Sequence, residues 1–122
     1  MHDIDNREDI LHLMESFYEK ALKDGVIGYF FTEVAPLNME IHMPLIVDFW
    51  ETVLFDKAIY KSNVLQVHQH IHKLSAFRAE HFTRWVSLFA QTVNELYSGE
   101  KAEMAKQRAE SIATIMKIKS IH

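Results

Sequence analysis

Residues 67–74 read VHQHIHKL and place histidines at 68, 70 and 72, three of the eight in the chain. On a strand, alternate side chains share a face, and such a run would offer three imidazoles to one metal ion. On a helix each residue advances about 100° around the axis, so His68 and His72 fall above one another and His70 points away. Val64, His68 and Ile71 then follow i, i+4, i+7, which sets His68 in an apolar stripe. A histidine there is more often a hydrogen-bonded core residue than a ligand, and both readings stay open on spacing alone. His70 reads as a solvated surface residue. A closed zinc site needs four ligands and an open one three; the neighbouring acidic residues complete no such set, and no HExxH pattern is present.

Which reading holds depends on the elements that carry these residues. Three glycines and two prolines are too few for an all-β chain, which needs a turn about every 8–12 residues. The aromatic residues instead recur at helical spacings, and the fold class is all-α. Asn6 caps a first helix, with Asp9 three residues on as a capping box. Ile10, Leu13, Met14, Phe17, Tyr18 and Leu22 form its apolar face, and Gly25 stops it. A short aromatic segment follows from Ile27 to Phe31, where Gly28 permits a tight turn, and Pro36 closes it. A second helix is expected over about 38–55, with Met39, His42, Ile46, Phe49, Trp50 and Val53 on one stripe. Pro44 must lie in its first turns or bend it. Residues 56–63 read as a connector and 64–74 as a shorter helix. Two long helices complete the chain, about 79–98 and 100–118, split at Ser98-Gly99. Phe82, Trp85, Phe89 and Tyr97 mark the inner side of one; Met104, Arg108, Ile112, Ile115 and Met116 mark that of the other.

The bulk properties narrow the function. The 122 residues suit a single domain, and shares of 48% hydrophobic and 25% charged residues are those of an ordinary globular protein. A net charge of −4 gives no basic footprint for nucleic acid. The absence of cysteine excludes disulfides, thiolate metal sites and cysteine nucleophiles. The opening MHDIDNREDI lacks the order of a signal peptide, and no apolar run is long enough to span a bilayer. A cytoplasmic chain with no membrane partner is the expectation.

Several stretches together resemble the truncated haemoglobins, specifically their group III. They are Leu13-Met14-x-x-Phe17-Tyr18-x-x-Ala21, Ile27-Gly28-x-Phe30-Phe31, and His42 with Asp48-Phe49-Trp50. Tyr60-x-x-Asn63-x-Leu65-x-x-His68, Glu80-His81-Phe82-x-Arg84-Trp85-x-x-Leu88-Phe89 and Gln107-Arg108-Ala109 complete the set. Order and spacing are consistent from about residue 8 to 118. One departure is Lys61-Ser62-Asn63-Val64, where the family often has Gly-Asn-Pro.

The resemblance implies a truncated globin domain over 1–122, a two-over-two helical sandwich around one haem b. It implies His68 as the proximal ligand and metal-binding residue. Tyr18, His42 and Trp85 correspond to the distal residues that meet a gas ligand, and Phe31 to the phenylalanine on the haem face. Leu65, Ile46, Phe49, Phe82 and Trp85, with Phe30 and Trp50, would wall the cofactor. His72 would lie at the haem edge, where with Lys73 and Arg78 it could neutralise the propionates. The implied function is reversible binding of oxygen or another diatomic gas (NO, CO). NO dioxygenase or peroxidase-like chemistry, a reductase partner, and a monomer or weak dimer remain open. The residues alone leave a rival reading, a non-haem all-α interaction protein with a structural aromatic core.

Overall fold

The computed structural model describes residues 1–29, 39–55 and 78–121. They hold four helices: α1 (Arg7–Lys23), α2 (Met39–Phe55), α3 (Ala79–Leu96) and α4 (Glu100–Ile121). No strand occurs among the described residues, and no helix among them is long and apolar enough to cross a membrane. The expected end of the aromatic segment at Phe30 and Phe31, the connector over 56–63 and the short helix over 64–74 lie outside the described residues. The helices form two pairs, α1 with α2 and α3 with α4; α1 also packs on α3, and α2 touches α4. This is the expected two-over-two arrangement.

The start of α1 differs in one detail from a full capping box. Asn6 Oδ1 accepts from the Asp9 N–H at 2.9 Å, but Asp9 Oδ2 accepts from Asp5 N, at 2.9 Å, one residue before the cap. The helix ends at Lys23 with Asp24 as its C-cap and Gly25 just beyond, as expected. The Asp24 side chain takes the next free donors: its Oδ2 accepts from Val26 N at 2.9 Å and Ile27 N at 3.1 Å. Gly28 is needed for close approach, since a Cβ there would lie 2.7 Å from the Leu22 carbonyl oxygen. Helix α2 runs through Pro44 in its second turn.

Burial on α1 follows the expected stripe, except that Ala21 takes the innermost place and Leu22 the edge. On α2 the buried residues are Ile46, Val47, Trp50, Glu51 and Leu54, while Phe49 and Val53 are half-buried. The stripe is rotated because α2 is apolar almost all round and meets both α1 and α4. The largest correction falls on α4. Its buried line is Ala102, Ala105, Ala109 and Ala113; Met104 and Ile112 are half-buried, and Arg108 and Ile115 face solvent. Ranking positions by side-chain size selected the wrong face. Small residues at the contact let two helix backbones approach closely, and α4 uses alanine to lie against α3.

The turn between α3 and α4 is held from the other end of the chain. Gly99 has φ 139°, and a Cβ there would lie 2.6 Å from the Asp3 carboxyl carbon. With no side chain of its own to cap α4, it makes room for one from outside: Asp3 accepts from Lys101 N and Ala102 N, both at 2.8 Å. Lys101 in turn reaches the Leu54 carbonyl at 2.7 Å, a cation at the C-terminus of α2. Burial raises the Asp3 carboxyl, but the N–H groups of Lys101, Ala102 and Ile4, with the Lys101 charge, outweigh it and hold the group below its ordinary value. Its contribution is therefore present above the unfolded value, about 3.9, and is lost as pH falls through the lower folded value. Asp3→Ala should cost about 1 kcal/mol in urea unfolding near neutral pH, and the deficit should narrow below about pH 4.

Candidate functional site

Phe17 lies where three helices meet. Its ring makes edge contacts with Tyr18 at 5.0 Å, Phe89 at 5.5 Å and Trp85 at 6.1 Å between centroids. Phe89 stacks with two indoles, Trp50 of α2 at 5.1 Å and 20° and Trp85 at 6.0 Å and 17°. Phe49 meets Trp50 edge-on at 5.5 Å. Offset and edge arrangements are the favoured aromatic geometries, each worth about 0.5–1.5 kcal/mol beyond burial. The rings come from α1, α2 and α3, and those of Tyr18 and Trp85 both contact Phe17.

Tyr18 is 6% exposed. Burial pushes its phenol well above the ordinary tyrosine value, so the hydroxyl keeps its proton and can donate. Trp85 is half-buried, and its indole N–H is a donor only. His42 is half-buried on α2, one turn before the buried Ile46. Phe82 is buried on α3, one turn before Trp85 and Val86. Of the expected site, then, Tyr18, His42, Ile46, Phe49, Phe82 and Trp85 are on described helices, and Tyr18 and Trp85 share Phe17 as neighbour. Phe31, Leu65, His68, His72 and Lys73 lie outside the described residues. Arg78 is exposed at the start of α3, where its backbone N–H donates to His81 Nδ1 at 2.8 Å.

One pair near these donors had no role in the reading of the sequence. Arg84 Nε and Nη2 donate to Asp24 Oδ1 at 2.9 and 2.7 Å. The Arg84 guanidinium, with help from the Val26 and Ile27 N–H groups, holds the Asp24 carboxyl below its ordinary range against the opposing effect of burial. Sixty residues separate the partners, and neither position is distinctive locally. Asp24 looked like part of a helix stop, and Arg84 like one member of a longer pattern.

A scan of the chain against models of known protein families finds no match. The chain is 34% identical over 112 residues to the group 3 truncated haemoglobin of Campylobacter jejuni, a match covering 89% of this chain and 86% of that protein. Its structure is similar to the crystal structure of group III truncated haemoglobin from Campylobacter jejuni, with a TM-score of 0.75 at 31% identity, covering 96% of this chain and 93% of that one. Likeness of that extent in both sequence and structure defines a shortened all-α globin. The chain belongs to the group III truncated haemoglobins.

The burial of Tyr18 is open to a direct check. Absorbance titration should show no Tyr18-dependent phenolate step through the range where an exposed tyrosine ionises, about pH 10. Tyr97, raised by burial and by the nearby Asp9, should lose its proton only near pH 12. A step near pH 10 that disappears in Tyr18→Phe would put the phenol in water.

Proposed function

We propose that this chain is one truncated globin domain that holds a haem b and binds a diatomic gas reversibly, with oxygen the leading ligand. Two things support the reading. One is membership of the group III truncated haemoglobins. The other, which carries it, is the Tyr18 hydroxyl: buried, protonated, and set in an aromatic cluster beside a second donor, Trp85. A buried phenol that keeps its proton is a hydrogen-bond donor that phenylalanine, with the same ring, would not supply here. An uncharged donor set, with the apolar Ile46 and Phe49 on α2 and Phe82 on α3, fits a flat apolar cofactor and a small polar guest.

In this reading His68 is the ligand to the iron, and Phe31, Leu65 and His72 belong to the cofactor's surroundings. Haem supplies, when bound, an iron with one coordination position open to a gas molecule. The Tyr18 hydroxyl would serve as one hydrogen-bond donor to the bound gas, and the Trp85 indole N–H as the second. His42 acts as a gate or water anchor at the same side. Ile46, Phe49 and Phe82 exclude water, which strengthens each hydrogen bond by lowering the local dielectric. A guest gripped by two donors leaves slowly, which suits scavenging or turnover of NO or peroxide, with electrons from a reductase, better than delivery.

Reconstitution with hemin should give a strong Soret band, lost or displaced in His68→Ala and kept in His72→Ala; a chain that stays colourless ends the proposal. In stopped-flow experiments, Tyr18→Phe should raise the oxygen dissociation rate by about one to two orders of magnitude, the value of one hydrogen bond to a charge-bearing partner. An unchanged rate would remove Tyr18 from the site.

A further inference from the structure

We propose that Asp24 and Arg84 are a positioning pair that sets the separation of the Tyr18 and Trp85 donors, and through it how firmly a gas is held; the inference rests on the reading under Proposed function. Asp24 is tied to three parts of the chain at once. Its backbone N–H donates to the Ala21 carbonyl at 3.2 Å, closing α1, and its carbonyl accepts from Gly28 N at 3.0 Å. One carboxylate oxygen takes the Val26 and Ile27 N–H groups, and the other takes Arg84 Nε and Nη2. The side chain is 5% exposed, so water competes little for these four bonds.

The donors lie at short, rigid remove from this junction. Tyr18 is six residues before Asp24, mostly within α1, about 9 Å along the axis. Trp85 directly follows Arg84 on α3. Between the two donors is Phe17, whose contacts are aromatic and tolerate sliding. Charge-assisted bonds to one carboxylate oxygen tolerate much less, because they weaken steeply as length and angle depart from the optimum. The pair therefore fixes a separation that packing alone leaves soft. Arg84 is 42% exposed, and an ion pair with one partner in solvent adds little net stability. Its geometric effect is then the larger one, and that difference is measurable.

The experiment uses hemin-reconstituted protein with carbon monoxide as the probe, reading the C–O stretching frequency, together with oxygen dissociation rates and urea midpoints. Lys20–Glu95 is the internal control, an ion pair that also joins α1 to α3, with Glu95 exposed and ten residues beyond Trp85 on α3. Asp24→Asn and Arg84→Gln should shift or split the C–O stretch in the direction of Tyr18→Phe and raise the oxygen off-rate several-fold, with little change in midpoint. Arg84→Lys should restore part of both, and Glu95→Gln should leave both unchanged. A wild-type stretch in Asp24→Asn and Arg84→Gln, beside a shifted Tyr18→Phe, overturns the positioning role alone. The same shift in Glu95→Gln overturns it too, by showing general loosening. Should Asp24→Asn not fold, Arg84→Gln against Arg84→Lys decides. No shift in Tyr18→Phe itself sinks the distal reading and this inference with it.

Discussion

The contact of Phe17 with Phe89 underlies the arrangement of the described helices. It joins α1 to α3 at full burial, and each ring carries further aromatics: Tyr18 beside Phe17, and the indoles of Trp50 and Trp85 stacked on Phe89. Removing either ring would cost on the order of 3–5 kcal/mol through lost transfer free energy and the cavity left behind. That is a large part of the stability of a small domain, which is roughly 5–15 kcal/mol in total. The same rings orient the hydrogen-bond donors of the cluster, the Tyr18 phenol and the Trp50 and Trp85 indoles. Stability and the geometry of the site thus rest on one set of atoms, and a core substitution would not leave the site untouched.

Around this apolar centre the polar ties sit at helix ends and edges. Arg7 reaches from the first turn of α1 to Asp48 at 2.6 Å and Glu51 at 2.9 Å on α2. Asp3 caps α4, Lys101 meets the end of α2, and Asp24 meets α3. Each tie satisfies a group that burial would otherwise leave costly, such as a terminal N–H, a terminal carbonyl or a carboxylate. Their net contribution to stability is small per bond. What they supply is direction: aromatic faces slide at little cost, and hydrogen bonds do not.

The sequence made the helices legible, because three of the four described ones carry clear periodicity and local stop signals. Asn6 and the α1 stripe could be read from seventeen residues. The face of α4 could not, since Ala102, Ala105, Ala109 and Ala113 give a weak hydrophobic signal and matter through the space they leave. Tyr18 and Trp85 stand out as candidate donors by type and by family spacing, yet their common neighbour Phe17 looks like any core aromatic. The remote cap from Asp3 and the Asp24–Arg84 pair were beyond reach for another reason. Long-range partners are fixed by how helices pack, and no local pattern encodes the partner of a single charged residue sixty or more positions away.

Tyr18 shows how stability and the proposed function pull apart in this core. Its ring belongs to the cluster, and its hydroxyl adds a polar atom to a region that otherwise excludes water. Desolvating a hydroxyl costs about 1–3 kcal/mol wherever its hydrogen bonds fall short of those made in water. The same desolvation keeps the proton on the oxygen far into the alkaline range, so donation does not depend on ambient pH. A surface phenol would be cheaper and would also donate, but water would compete for it, and a hydrogen bond in water is weak against a small guest. Placing the donor inside the aromatic cluster makes it strong, and it also makes its aim depend on helix packing. Donor strength and donor alignment are therefore controlled separately, the first by burial of Tyr18 and the second by whatever fixes α1 against α3.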